Sequence, residues 1–321
     1  MNAGYVVRRL LQVVPTSAAI LAVGFLLIHL APGEPLLTLA GEHGDAAYYE
    51  FMREKFGLDR PLHEQFLTYA GRVARGDLGL SYIHGRPAVQ VIAERVPATL
   101  LLTVTALVLS SCAGIVLGLY TAARARRLDA ATIDALVLTL FAVPVFWLGQ
   151  MAILSLAFRL GWFPVEGITR AGTDHAGLSL ILDVGHHLAL PALVLASQQL
   201  AATTRLTSSS VSEELRSDHV RTARAKGLSE WVVLTKHALR RALLPVVTVI
   251  GARVGHLLAG AIVVEVVFSW PGLGRLLLSA AQTRDGPILL GIFLFVSIAV
   301  ILANLVTDLL YGVLDPRVRY S

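Results

Sequence analysis

The sequence predicts an all-helical integral membrane protein with six transmembrane helices. Of its 321 residues, 55% are hydrophobic and only 15% are charged, and the mean hydropathy is +0.68, far from the balance of a soluble globular domain. Apolar runs near the length of about 20 residues that crosses a bilayer recur along the chain. Lys and Arg gather between alternate runs, which is the bias of cytoplasmic loops.

The first predicted span covers residues 10–30 and follows a pair of arginines. Its apolar stretch is longer than the hydrophobic region of a typical signal peptide and no small-residue cleavage site follows, so we expect a retained span that begins on the cytoplasmic side. Residues 32–97 are polar, with nine Asp or Glu and seven Lys or Arg. Amphipathic pieces at 48–56 and 61–74 predict a small folded cap on the outer face.

The next three predicted spans differ in character. The second, residues 98–122, ends at a cluster of arginines that marks the cytoplasmic side. The third, residues 131–158, contains Pro144, which we expect to kink it. The fourth, residues 187–202, is short and has three consecutive polar residues in its centre, so it predicts a helix buried among other helices.

A basic segment, Arg205–Arg241, separates the fourth span from the fifth (243–268) and sixth (288–311). It carries eight Lys or Arg against four Asp or Glu, whereas residues 159–185 and 269–286 carry two Lys or Arg each. This asymmetry predicts that the basic segment and both chain termini lie in the cytoplasm. The predicted organisation is an N-terminal segment with the first span at 1–31, an outer cap at 32–97, and a membrane core at 98–321 that contains the basic loop 205–241.

Motifs of several enzyme classes are absent from the sequence. No G-x-x-x-x-G-K-[ST] occurs and none of the three lysines follows a glycine, so we do not expect this chain to hydrolyse ATP. H-E-x-x-H, G-x-S-x-G and C-x-x-C are missing as well. The adjacent His186 and His187 point to opposite sides of a helix, which is a poor arrangement for a shared metal ion. The net charge of +5 fits cytoplasmic loops better than nucleic-acid binding.

The order of residues within the basic segment predicts two helices. Acidic residues come early and basic residues late, which suits the dipole of a helix. Gly227 can end one helix, and Ser229 with Glu230 can start another. From these residues alone, two interpretations stay open: a solvated helical hairpin held at lipid headgroups by its charge, or a helical pair that a cytoplasmic partner grips.

Two stretches of the basic segment carry a more specific signal. Residues 220–228 read VRTARAKGL, and residues 236–245 read KHALRRALLP. Together they resemble the EAA loop of ABC importer permeases, specifically of the dipeptide/oligopeptide/nickel permease family. Arg221, Thr222 and Ala223 stand where the general E-A-A letters fall, although only the last letter is retained. Further stretches resemble this family in the same order along the whole chain: RRLLQ at 8–12, LAPGEP at 30–35, GLDRP at 57–61, GDLG at 76–79, ERVPAT at 94–99, EVVFSWPGLGR at 265–275 and LDPR at 314–317.

The resemblance implies the type I, MetI-like permease fold and a place in the bacterial inner membrane. It implies a transport subunit rather than an enzyme, without a cofactor or metal ion of its own, because partner subunits bind ATP and Mg²⁺. The implied partners are a second homologous permease, two cytoplasmic ABC ATPases or one fused pair, and an extracytoplasmic substrate-binding protein. Peptides are the expected substrates, with nickel complexes, glutathione or haem as alternatives. The implied ATPase-coupling residues are Arg221, Thr222, Ala223, Arg224, Lys226, Gly227 and Leu228.

Polar residues inside the fifth predicted span point to a pathway. Arg253 lies about ten residues into the span, where a charge facing lipid is costly, so we hypothesise that Arg253 and His256 face a water-accessible path. Alternatively, Arg253 reaches the inner interface or pairs with Asp308. On a continuous helix, the small residues Gly251, Gly255 and Ala259 form one face for close helix contact, and Arg253, His256 and Gly260 lie on the opposite face.

Two residues near the outer end of the fifth span complete the set of candidates. Glu265 is either interfacial or part of an outer gate, and Trp270 fits the aromatic belt at a membrane boundary. A stand-alone secondary transporter remains a competing class, but it would need coupling-ion carboxylates in mid-membrane and usually internal repeats. A membrane-embedded enzyme would need a nucleophile or metal constellation, which the sequence lacks.

Overall fold

The fold is all-helical in the part of the chain that the structure describes. This computed structural model describes residues 3–30, 59–125, 127–170 and 176–314, with residues 47, 50 and 172 singly. Within that part, the only strand-like pairing is an isolated bridge between Leu80 and Pro87. The helices are α1 (Ala3–Leu30), α2 (Leu62–Val73), α3 (Ala88–Ala123), α4 (Leu128–Ala142), α5 (Val145–Ala152), α6 (Leu178–Glu214), α7 (Asp218–Ala225), α8 (Glu230–Val232), α9 (Arg240–Ala252), α10 (Val254–Val267), α11 (Leu273–Gln282) and α12 (Gly286–Leu314), and π-helical turns extend α5 over Ile153–Arg159 and α8 over Val233–Leu239.

Three described helices are long and apolar enough to cross a bilayer by themselves. They are α3, α6 and the stretch Gly286–Thr307 of α12. Two bent helix pairs meet the same criterion if each pair is counted as one span, which raises the number to five. In α1, the apolar stretch is shorter, Leu11–Leu26. The described helices therefore give three to five spans by this criterion, where the sequence predicted six.

The third predicted span is broken rather than kinked. Its two halves, Leu128–Ala142 and Val145–Arg159, meet at 103°. The pyrrolidine ring of Pro144 disfavours the helical conformation of the residue before it, and Val143 is accordingly extended, with φ −78° and ψ 130°. The proline was therefore the correct signal, but its effect is a complete interruption of the helix.

One compact unit consists of Leu100–Trp270 and Leu302–Ser321, and α6 runs through its core. This helix packs against α4, α5, α9 and α10, and it is the most buried of the three long spans. Its central polar residues Ser197 and Gln199 are buried, as the sequence predicted for the fourth span. The close approach of α3 depends on glycine, because a Cβ on Gly118 would lie 2.5 Å from the carbonyl oxygen of Thr204.

The second compact unit consists of Asn2–Thr99 and Pro271–Ile301. The amphipathic piece predicted at 61–74 forms α2, whereas the piece predicted at 48–56 lies almost wholly outside the described residues. Phe66 of α2 packs edge-on against Phe25 of α1, with ring centroids 5.5 Å apart. The core of this unit brings together residues of α3, α11 and α12: Ala88, Val91, Ile92, Leu273, Leu276, Ala280, Ile288 and Ile292.

Candidate functional site

The basic segment forms a compact helical turn at the end of α6. This helix continues past the predicted end of the fourth span to Glu214, and α7 starts at Asp218 after a short turn. Gly227 has a φ of +74°, a conformation that L side chains rarely adopt, and it separates α7 from α8. Ser229 then precedes the first residue of α8 in extended conformation. Both boundaries agree with the sequence prediction.

An apolar contact holds α7 against the helical segment that follows it. Val220, Ala223 and Val233 are buried and pack together, with Leu215 beside them. Ala223 is only 3% exposed, so it belongs to the core of this turn and does not offer a contact surface. Helical spacing turns residues 220 and 223 to the same inner face, so Ala223, alone among the predicted coupling residues, lies inside the turn.

The other predicted coupling residues lie on the exposed side of the turn. We call this exposed side, residues 221–231 apart from Ala223, the coupling surface. The exposed residues of the predicted set are Arg221, Thr222, Arg224, Lys226, Gly227 and Leu228. The coupling surface is therefore positively charged, and the buried apolar residues beneath it hold its backbone in place.

One ion pair bridges the two helices of the coupling surface. Arg224 Nε donates to Glu230 Oε1 at 2.8 Å, and Arg224 Nη2 donates to Glu230 Oε2 at 3.1 Å. This two-point contact spans the Gly227 turn. The hydrogen bonds from Arg224 lower the pKa of the Glu230 carboxyl below its usual value. The Glu230 carboxyl is therefore ionised at neutral pH, and the pair links the residues on either side of the Gly227 turn.

Sequence reasoning missed the largest apolar residue of the coupling surface. The side chain of Trp231 is 69% exposed, and Leu228 close by in the chain is 39% exposed. Because tryptophan is enriched among the hot spots of protein–protein interfaces, the exposed Trp231 is a candidate contact residue. The signal was available, since Trp231 is the one tryptophan within the basic segment.

The fifth predicted span is also broken, and Arg253 is the residue at the break. Glu230–Ala252 and Val254–Val267 meet at 49°, and Arg253 has φ −91° and ψ 0°. Because of this break, the two faces predicted for a continuous helix are wrong in part. Gly251 does pack closely, against Thr307, and His256 is exposed. However, Ala259 is exposed and Gly260 packs against Leu195 of α6.

The side chain of Arg253 contacts a buried amide of α6. Arg253 Nη1 donates to Gln199 Oε1 at 3.3 Å, and Gln199 Nε2 donates back to the carbonyl oxygen of Arg253 at 3.5 Å. Gln199 is only 6% exposed. The alternative partner Asp308 has a side chain outside the described part of the structure. The predicted pair Arg253 and His256 thus lies at the broken helix, with His256 open to the surroundings.

Glu265 and Trp270 are both fully buried, at 0% exposure. The side chain of Trp270 therefore does not face the surroundings as an aromatic-belt residue would, and the two alternatives for Glu265, an interfacial position or part of an outer gate, stay predictions. The reason for this burial is local: α10 ends at Val267, and Ser269 adopts a φ of +51° that turns the chain back. The backbone N–H of Trp270 then donates to the carbonyl oxygen of Glu265 at 2.8 Å. This backbone hydrogen bond therefore closes the C-terminal end of α10.

Comparison with known protein families identifies the family of this chain. Residues 114–320 match the family described as binding-protein-dependent transport system inner membrane component, and residues 3–103 match the N-terminal region of such membrane components. The chain belongs to this family. Among the described residues, no group of three or more His, Cys, Asp or Glu side chains is arranged to hold a metal ion.

Individual relatives cover nearly the whole chain. It is 40% identical over 335 residues to the dipeptide transport system permease protein DppB of Escherichia coli K12, with 99% of each chain covered. It is also 40% identical over 318 residues to the glutathione transport system permease protein GsiC of the same strain, again with 99% of each chain covered. Among solved structures, the MetNI methionine ABC transporter matches with a TM-score of 0.57 at 16% identity, over 71% of this chain and 97% of the other.

These findings confirm the predicted class. The chain is a permease subunit of an ABC importer and a component of the bacterial inner membrane. Its helical fold is MetI-like, as the sequence indicated.

Proposed function

We propose that this permease forms, with a second homologous permease, a translocation path for short peptides. Two relatives of equal identity, each matched over 99% of this chain, transport a dipeptide and glutathione according to their names. Glutathione is itself a tripeptide, so both names indicate substrates with peptide bonds and free carboxylates. An extracytoplasmic binding protein delivers the peptide, and the cap formed by residues 32–97 receives that protein.

The membrane topology of this proposal has six spans. It counts α1, α3, α6 and α12 as one span each, and each of the two bent helix pairs as one further span. The excess of Lys and Arg in residues 205–241 supports a cytoplasmic position for the coupling surface and for both termini.

The observation that carries the proposed coupling role is the exposed apolar pair Leu228 and Trp231 within a basic helical turn. An apolar pair with a polar, charged rim matches the anatomy of a protein–protein contact. Two cytoplasmic ATPases, or one fused pair, bind ATP and Mg²⁺ and hydrolyse ATP, and each permease inserts its turn into an ATPase groove. Closure of the ATPases moves α7 together with the end of α6, and the spans switch between two packings.

Substitution of the apolar pair tests the coupling role. The variant Trp231→Ser, in the full complex with the second permease and the ATPases, is expected to weaken ATPase attachment by about 2 kcal/mol or more, since a buried tryptophan anchor is removed. Retention of the ATPases during purification in detergent measures this. Leu62→Ser is the matched control, because Leu62 is an exposed apolar residue of α2 outside the basic segment.

Two results would contradict the proposal. The first is that Trp231→Ser retains the ATPases as well as Leu62→Ser does. The second is that the purified chain alone, in liposomes without ATPases or nucleotide, accumulates peptide against a gradient. That second result would favour the stand-alone transporter.

A further inference from the structure

We propose that Arg253, held by Gln199, is a carboxylate-binding point in the translocation path that receives the C-terminal carboxylate of the peptide. This inference rests on the proposed function as a peptide permease. In this inference Arg253 contacts the substrate carboxylate, and Gln199 positions Arg253. Four features of the described residues support it.

The first feature is the backbone at the break between α9 and α10. The N–H of Arg253 donates to the carbonyl oxygens of Val249 and Ile250, both at 3.2 Å, and its own carbonyl oxygen accepts from Leu257 N–H at 3.1 Å. The backbone of Arg253 is therefore fixed at the bend. Its conformation, φ −91° and ψ 0°, is that of the residue that ends α9 and precedes α10.

The second feature is the neutral partner of the guanidinium. Gln199 on the buried helix α6 accepts one hydrogen bond from Arg253 Nη1. A guanidinium has five N–H donors, and an amide neutralises none of its charge. The contact therefore orients Arg253 and, among the side chains that the structure describes, leaves its charge and further donors for an anion. A glutamate at position 199 would instead satisfy the guanidinium permanently.

The third feature is the direction in which this region faces. On α10, the side chains of His256, Ala259, Val263 and Val266 are exposed, and their spacing of three, four and three residues places them on one side of this helix. A charge in a span is found facing a bundle interior or a water-filled path, since lipid exposure is costly. The half-buried Arg253 beside exposed His256 fits that path.

The fourth feature is the chemistry of the substrates. A carboxylate matches the planar fork of Arg in a two-point contact. Every peptide with a free C-terminus carries this group whatever its side chains, so one cation recognises the feature that all such substrates share. A single contact also allows the peptide to dissociate, because transport requires that the path bind its substrate weakly enough to release it.

The test compares two peptides that differ only in the C-terminal group. The complete complex is reconstituted in liposomes, and ATP-driven uptake is measured for a dipeptide with a free carboxylate and for the same dipeptide as its C-terminal amide. Each is supplied at a concentration that saturates the isolated binding protein, so that differences in capture are removed. For Arg253→Gln, we expect uptake of the carboxylate form to fall by about tenfold relative to the amide form, the size of effect of one charge-assisted contact.

Two further variants separate recognition from folding. Gln199→Glu keeps Arg253 but supplies a competing carboxylate, and it is expected to reduce the preference for the carboxylate peptide as Arg253→Gln does. Arg159→Gln removes an exposed arginine at the end of another helix and is expected to keep the preference of the unmodified complex.

Each outcome decides the inference. An equal loss for both peptides, or no loss for either, in Arg253→Gln overturns it and assigns Arg253 a structural role. If Asp308→Asn reproduces the equal loss, an ion pair with Asp308 explains that role. If the unmodified complex takes up neither peptide, both this inference and the proposed peptide substrate are overturned together, whereas peptide uptake without a carboxylate preference overturns only the inference.

Discussion

At the scale of single residues, Asp285 joins parts of the chain that are far apart in sequence. The hydroxyl of Ser81, 204 positions away, donates to Asp285 Oδ2, and Ile83 N–H donates to the same oxygen at 3.3 Å. Ile288 N–H donates to Oδ1 at 3.4 Å. Asp285 is 1% exposed, so water replaces none of these contacts. Burial and the nearby Asp285 carboxylate together raise the pKa of Tyr82 to about 12.

This arrangement predicts a cost for Asp285→Asn. An amide NH₂ would face one of the two backbone N–H groups, which leaves a buried donor unsatisfied at about 1–3 kcal/mol. Thermal unfolding in detergent measures the loss. Asp59→Asn changes an exposed carboxyl in the same way and is expected to be neutral. Equal stability of the two variants would contradict the role of Asp285.

The Arg224–Glu230 pair predicts a small effect with a definite pH dependence. Both side chains are substantially exposed, 43% and 63%, so a double-mutant cycle with Arg224→Gln and Glu230→Gln is expected to give an interaction free energy below about 1 kcal/mol. The pKa of Glu230 is lowered in the folded chain, so the contribution is complete above its unfolded pKa and is lost as the pH falls through the folded pKa. If the interaction free energy already fell between neutral pH and the pH range in which ordinary carboxyl groups titrate, the result would argue against this pair.

At the scale of elements, the crossing of α3 and α6 depends on the absence of side chains. A Cβ on Gly118 would lie 2.6 Å from Thr207 Cβ as well as against the α6 backbone, so Gly118→Ala is expected to destabilise the chain by about 1–3 kcal/mol through overpacking. Gly71→Ala in α2 is the matched control, because a Cβ there meets nothing within 4 Å. Unfolding in detergent compares them, and a neutral Gly118→Ala would refute a tight crossing.

The helix breaks explain how far the sequence predicted the elements. Pro144 constrains its neighbour covalently, so an interruption near residue 144 was predictable. At Arg253 no proline causes the break: Gly251 and Gly255 flank it without fixing its position, and contacts with the distant Gln199 accompany it. Local residues likewise predicted the turn at Gly227. The burial of Ala223, Glu265 and Trp270 depends on how helices pack, which periodicity alone does not determine.

At the scale of the whole molecule, α6 is suited to carry movement from the coupling surface into the membrane. It is one unbroken helix, Leu178–Glu214, whose end lies directly before α7, whereas the third and fifth spans are each interrupted. Membrane class and family were predictable from composition and motifs, because these depend on local pattern. A continuous α6 was not, because residues 205–214 are polar and were assigned to a loop.

A flexible joint in α6 tests whether rigidity matters. Replacing Ser208, Ser209 and Ser210 with three glycines lowers the helix propensity at the cytoplasmic end without changing chain length, and three alanines at the same positions strengthen it. In the reconstituted complex, the glycine variant is expected to hydrolyse ATP while transporting less peptide per ATP, because α7 would move without turning α6. The alanine variant is expected to match the unmodified complex. If both variants transport the same amount of peptide per ATP, force reaches the spans by another route. The first candidate is α9, which follows the coupling surface along the chain.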